Sequence, residues 1–175
     1  MTSLTGATPL ELMTSPLYAE YTLWLNDEAE QLDRHRYSEW LERLAPDLHY
    51  TVPGRTDGPD GVVEGASHHI DETYRSMTTR IKRISGATNF AETPRTRTRR
   101  FVTNIRLSPE STPDRLVGSS YLLLTRSRGL RAELEMVPCE RTDELVRIDG
   151  QLKLRRRQVL VDQATLGLVH LATPL

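Results

Sequence analysis

Five histidines, one cysteine and two runs of arginine are the residues of this chain with the most chemical reach. The histidines are His35, His49, His68, His69 and His170. A mononuclear non-haem iron needs two histidines and a carboxylate, with coordination positions left open. His68 and His69 stand beside Asp71 and Glu72, so the residue types are right. The apolar spacing around them predicts a helix, and adjacent residues on a helix diverge by about 100°. The pair cannot easily share one metal, and a polar helix start is the simpler reading. His49 alternates with Leu48 and Tyr50 and lies just after Asp47. A His/Asp pair in a closed pocket can drive dehydration or isomerisation. Nothing in the sequence sets these two over a substrate, so a solvated histidine is expected.

Cys139 is the lone cysteine. A Rieske cluster needs two cysteines and two histidines, which one cysteine excludes by arithmetic. Cysteine-rich zinc sites fail for the same reason. As a nucleophile Cys139 has Pro138 before it and Glu140 after it. A nearby acid raises a thiol pKa and blunts its reactivity. The chain has no G-x-S-x-G. Neither G-x-G-x-x-G nor G-x4-G-K-[ST] is present, so no phosphate cradle is expected.

The arginine runs are Arg95, Arg97, Arg99 and Arg100 within PRTRTRRF, and Arg155, Arg156 and Arg157 within LRRRQVLVDQ. On a strand Arg95, Arg97 and Arg99 project from one face. Three readings compete: a solvated face with local ion pairs, an arginine-rich protein interface, and contact with nucleic acid. Nucleic acid ranks last, because aromatics are only 6% of the chain and none interleaves with the arginines. The first two stay open.

Composition sets the frame for these groups. The chain has 175 residues, 37% apolar and 27% charged, with a net charge of -1. That is one domain by length, and large enough to hold itself without disulfide or metal. The charge balance gives no pull towards nucleic acid or acidic membranes. The first residues show no basic stretch followed by an apolar run, so no signal peptide is expected, and no apolar run comes near the ~18 residues of a membrane span. A lone thiol fits a reducing compartment, so a cytoplasmic location is expected.

The elements that must position these residues read as follows. Residues 1–16 look like a flexible arm, and 17–175 like one α+β domain. Ser15 and Pro16 predict a helix start, and Tyr21, Trp24, Leu25, Ala29 and Leu32 recur at helical spacing. Tyr37, Trp40, Leu41 and Leu44 predict a shorter helix that Pro46 stops. Leu48, Tyr50 and Val52 predict a short strand, and 54–61 a loop. Ile70, Tyr74, Met77, Ile81 and Ile84 predict a third helix, with Asp71 and Glu72 near its start and Gly86 at its end. Strands follow. Phe101, Thr103, Ile105 and Leu107 alternate, and 116–126 is one long strand. Leu130, Ala132, Leu134 and Met136 alternate with charged residues as on a sheet with one wet face. Asp149-Gly150 is a two-residue hairpin turn between the last two strands. Helices first and strands later argue for an α+β fold: N-terminal helices packed on a curved antiparallel sheet, similar to the cystatin-like/NTF2-like cone.

At this point a family becomes recognisable. AETPRTRTRRFVTNIRL resembles the region of aromatic-ring-hydroxylating dioxygenase β subunits where a Pro and several Arg lead into a strand ending near an Asn. ELVRIDGQLKLRRRQVLVDQATL resembles their C-terminal hairpin, with Val161-Asp162 as its Leu/Val-Asp pair. YAEYTLWLNDEAEQLDRHRYSEWLERLAPDLHYTVPGR stands where the family has an acidic first helix, a Tyr-x-x-Trp-Leu segment and a Tyr-x-Val-Pro strand. The likeness runs in matching order over roughly residues 17–171. It departs at Gln151-Leu152, where the family often has an aromatic residue, and in the tail His170-Leu171-Ala172-Thr173-Pro174-Leu175.

The resemblance implies a structural subunit with no catalytic residue, cofactor or metal of its own. Its partners would be the large α subunit, which carries the Rieske cluster and catalytic iron, and other β subunits, typically as α3β3. A reductase, sometimes with a ferredoxin, would bring electrons from NAD(P)H. Arg95, Arg97, Arg99, Arg100, Arg155, Arg156 and Arg157 are then expected at subunit interfaces. No nucleic acid or membrane partner is expected. The alternative is a free-standing cone-fold hydratase or isomerase using His49 with a nearby acid, or a ligand-binding module.

Overall fold

A computed structural model describes residues 4, 6–58, 61–85, 95–129, 133–163 and 173–175, without the side chains of 55–67. Expectations placed on Gly86, Leu130, Ala132 and His170 lie outside the described residues.

Three helices open the chain: α1 (Pro9–Met13), α2 (Pro16–Asp33) and α3 (Tyr37–Glu42). The segment read as an arm therefore holds α1, closed by a Thr8/Glu11 capping box and seated through the buried Leu12. Helix α2 starts where Ser15 and Pro16 indicate, with the Ser15 hydroxyl accepting from the Tyr18 amide. All five apolar residues of its stripe are buried.

Two strands come next, β1 (Leu44–Gly58) and β2 (Gly61–Thr73), then α4 (Tyr74–Ser85). This corrects three readings. Pro46 does not end a helix; it lies within β1, where the pairing to the last strand shifts between Leu44 and His49 and tolerates a residue without an N–H. Residues 54–58 and Gly61, read as loop, are strand residues of β1 and β2, with Gly58 opposite Gly61. Ile70 is not helical: it pairs with Val52, so Asp71 and Glu72 are strand residues too. Helix α4 begins four residues later, where Thr73 and Ser76 hydrogen-bond each other's amides. Its Met77 and Ile81 are buried as expected.

Strands β3 (Arg97–Leu107), β4 (Arg115–Ser127), β5 (Glu135–Ile148) and β6 (Gln151–Val161) complete one six-stranded sheet, in the order β2-β1-β6-β5-β4-β3. The β5–β6 turn is Asp149-Gly150, both with positive φ (50° and 79°), as the sequence indicates. The sheet is antiparallel except between β1 and β6, which run parallel. The helices pack on one face, α2 against β3 and α4 against β1 and β2, giving the expected α+β cone.

Two bulges decide which side chains enter it. In β3 one extra residue, Asn104 (φ 51°), interrupts the pairing between Thr103 and Arg106. Thr98 and Arg100 therefore point inward before it, and Leu107 after it. In β6 an extra residue falls between Leu154 and Arg156. Leu152 and Leu154 face inward before this bulge, and Arg157, Val159 and Val161 after it.

Candidate functional site

The interior of the cone is built around charge. Glu28 lies on α2 one helical step from Trp24, Leu25 and Leu32, and is wholly buried with them. Arg141 and Asp143 occupy the inward positions of β5 between Cys139 and Leu145. Arg157 is turned in by the β6 bulge. The Arg157 guanidinium donates to Asp143 at 2.6 and 2.9 Å. It also donates to Glu28 at 2.9 and 2.8 Å. Arg141 donates to Glu28 at 3.4 Å and to the Ser120 hydroxyl at 3.2 and 3.3 Å. Trp40 Nε1 adds a bond to Glu28 at 3.0 Å. Two carboxylates thus balance two guanidiniums, the condition under which buried charge is tolerated.

These contacts fix the protonation states. Burial by itself would raise the Glu28 pKa, but Arg157 and Arg141 outweigh it and hold the carboxyl below its ordinary value of 4.5. For Arg157, burial opposes the charge while Asp143 and Glu28 restore it and raise the pKa well above the usual range. Tyr21 packs its ring on Gly118, and burial raises its pKa well above 10.0. Burial pushes the Cys139 thiol up to about 12, so it is a packed core group without nucleophilic character at neutral pH.

A second buried pair ties α2 to β3. Arg100 donates to Asp33 at 2.6 Å, and Asp33 also accepts the Arg100 amide at 2.8 Å. Arg100 has a side chain with 0% exposure. Burial lowers its pKa, and Asp33 is the nearest opposing charge.

The seven arginines singled out from the sequence therefore separate. Arg95, Arg97, Arg99 and Arg156 are exposed. Arg155 is half-buried and paired with Asp47 at 2.7 Å and Glu144 at 3.6 Å. Arg100 and Arg157 are buried inside this chain with their own carboxylates, so their guanidiniums are not presented to a neighbour. The reason is the strand phase set by the two bulges. Glu28, Arg141 and Asp143 escaped the sequence reading, although each sits at an apolar-phase position of its helix or strand.

Among the described residues the histidines do not converge. His49 bonds Asp71, not Asp47, at 3.1 Å, and both side chains are more than half exposed. His68 and His69 are exposed neighbours on β2, where successive side chains point to opposite faces. Among the described residues no group of three or more His, Cys, Asp and Glu is arranged to hold a metal. The single cysteine cannot supply the pair a Rieske cluster needs.

The sheet face away from the helices is different in kind. Phe101, Leu123 and Pro138 lie side by side across β3, β4 and β5, with Tyr121 and Met136 in the adjacent rows. Phe101, Tyr121 and Met136 are 53%, 49% and 53% exposed. Leu134, read from its alternation as a sheet residue, precedes β5 and is 55% exposed. Arg99 borders this patch, opposite Thr125. Contiguous apolar surface of this kind marks an interaction site more often than a solvated face.

Comparisons with known proteins agree with one another. A family described as "Ring hydroxylating beta subunit" matches residues 27–167. The beta subunit of biphenyl 2,3-dioxygenase from Rhodococcus jostii (strain RHA1) is 31% identical over 149 residues, 79% of this chain and 78% of that one. The beta subunit of N,N-dimethyl phenylurea N-demethylase from Sphingobium sp. (strain YBL2) is 33% identical over 152 residues, 85% of this chain and 86% of that one. Among solved structures, a chain of naphthalene 1,2-dioxygenase with indole in its active site superposes with a TM-score of 0.81. It covers 97% of this chain and 89% of its own, at 22% identity, which makes it a likeness of fold.

Proposed function

The chain belongs to the ring-hydroxylating beta subunit family, and on that premise we propose that it is the non-catalytic subunit of a Rieske non-haem iron oxygenase. The observation that carries the reading is the family match across residues 27–167. The interior is consistent with it: among the described residues the centre of the cone holds balanced ion pairs from α2, β5 and β6. In this reading both iron centres lie in a large α subunit, electrons arrive from NAD(P)H through a reductase or ferredoxin, and the complex works in the cytoplasm as α3β3. The β chain contributes shape and rigidity. The exposed arginines Arg95, Arg97, Arg99 and Arg156, with the apolar patch around Phe101 and Tyr121, form its assembly surface. An apolar centre rimmed by arginine is the composition such interfaces favour.

The free-standing hydratase or isomerase has less support, because the His49–Asp71 pair stands on an open face. General acid–base chemistry gains from enclosure that this pair lacks. The test is native mass after co-expression with an α subunit, with iron counted on the same sample. A mixed complex whose iron scales with the large chain is expected. A β chain that stays alone, or that carries iron itself, refutes the reading.

A further inference from the structure

Residues 173–175 lie in the interior, next to the charge cluster. Leu175 has 0% exposure and belongs to the hydrophobic core. The segment is held by side chains from three strands. Arg100 of β3 donates to the Thr173 hydroxyl at 3.1 Å and to the Pro174 carbonyl at 2.6 Å. Arg157 of β6 donates to the Leu175 carbonyl at 3.1 Å. The Tyr50 hydroxyl of β1 donates to the same carbonyl and accepts the Leu175 amide, both at 2.9 Å. Among the described residues these three use no strand-to-strand ladder bonds. Peptide groups read by side chains, with one apolar side chain in a socket, are how a protein holds a bound peptide.

We propose that Tyr50, Arg100 and Arg157 form a peptide-binding socket whose resident occupant, residues 173–175, can be removed and replaced by the same segment in trans. Two of the three socket side chains are anchored from outside the segment. Arg100 is fixed by Asp33, and Arg157 by Glu28 and Asp143, at 2.6–2.9 Å. Tyr50 is buried and its pKa is pushed up to about 12, so it remains a neutral phenol that can both donate and accept. Donors positioned before binding are what give a short peptide useful affinity. Pro174 has no amide hydrogen, so its burial leaves no donor unpaired. The inference is independent of the assembly reading.

The test uses the chain cut after Ala172, and also the full chain carrying Leu175→Asp, which places a charge in the apolar socket and expels the segment. Each is titrated with a fluorescent synthetic peptide of residues 164–175, followed by anisotropy. Saturable binding is expected. A peptide carrying Leu175→Asp should bind at least about tenfold more weakly, the ratio set by burying one leucine side chain. Folded proteins that ignore the peptide, or that bind both peptides equally, overturn the proposal. So does a cut chain and a Leu175→Asp chain that fail to fold even when refolded with excess peptide, since the segment would then be part of the folding core.

Discussion

Replacing Glu28 by leucine tests the central claim about the interior, that its charges are paired within this chain. The change removes the shared acceptor of Arg157, Arg141 and Trp40 Nε1. Arg157 keeps Asp143, but among the described residues Arg141 keeps only Ser120, and one buried positive charge is left over. Breaking a buried ion pair in this way costs about 3–5 kcal/mol. Taking about 4 kcal/mol, and about 2–4 °C per kcal/mol for a chain of this length, the melting temperature should fall by about 8–16 °C. Glu28→Gln should cost less, because an amide oxygen still accepts from Trp40 and Arg157. The pH dependence has a definite sign. Glu28 has its folded pKa below its unfolded value, so its stabilisation is present above about pH 4.5 and is lost as pH falls through the folded pKa. The gap in melting temperature between wild type and Glu28→Gln should therefore be full at pH 7 and close progressively below pH 4.5. Circular dichroism melts at pH 7 and in steps down to about pH 3 measure both effects. A fall of under 2 °C for Glu28→Leu, or a gap that widens in acid, would refute the ion-pair assignment.

Further outcomes follow from the same geometry. Adding Arg157→Met to Glu28→Leu should recover about 1–3 kcal/mol relative to the sum of the single changes, since the cluster returns to one acid and one base; additive melts would mean the two side chains are uncoupled. At Gly118 a Cβ would stand 2.5 Å from the Arg106 carbonyl oxygen and 2.6 Å from the Tyr21 ring, so Gly118→Ala should destabilise by about 1–3 kcal/mol, read as a lower urea midpoint. Cys139 should resist a thiol reagent at pH 8 in the native protein and react once it is unfolded; fast native labelling would contradict its burial. Arg99→Ala or Arg156→Ala should weaken assembly with the α subunit, measured by native mass spectrometry, while leaving the melt of the isolated chain nearly unchanged. Normal assembly in both would remove these residues from the interface.

The local elements were legible in the sequence where one strong signal acted alone. Ser15-Pro16 and the stripe from Tyr21 to Leu32 placed α2, and Asp149-Gly150 placed the last hairpin, because capping and turn chemistry act over a few residues. The family was legible too, since the order of such segments survives without knowledge of their packing. Where signals competed, the sequence misled: Ile70 continues the helical period of Met77 and Ile81, yet pairing with Val52 draws it into β2. The interior shows the limit most clearly. Arg155, Arg156 and Arg157 are chemically identical, and only the β6 bulge decides that Arg157 meets Glu28 and Asp143 while Arg156 faces out. The sequence carries a repeat of two along each strand; a single unpaired residue inverts it, and the fit of one strand against its neighbour determines where that residue falls.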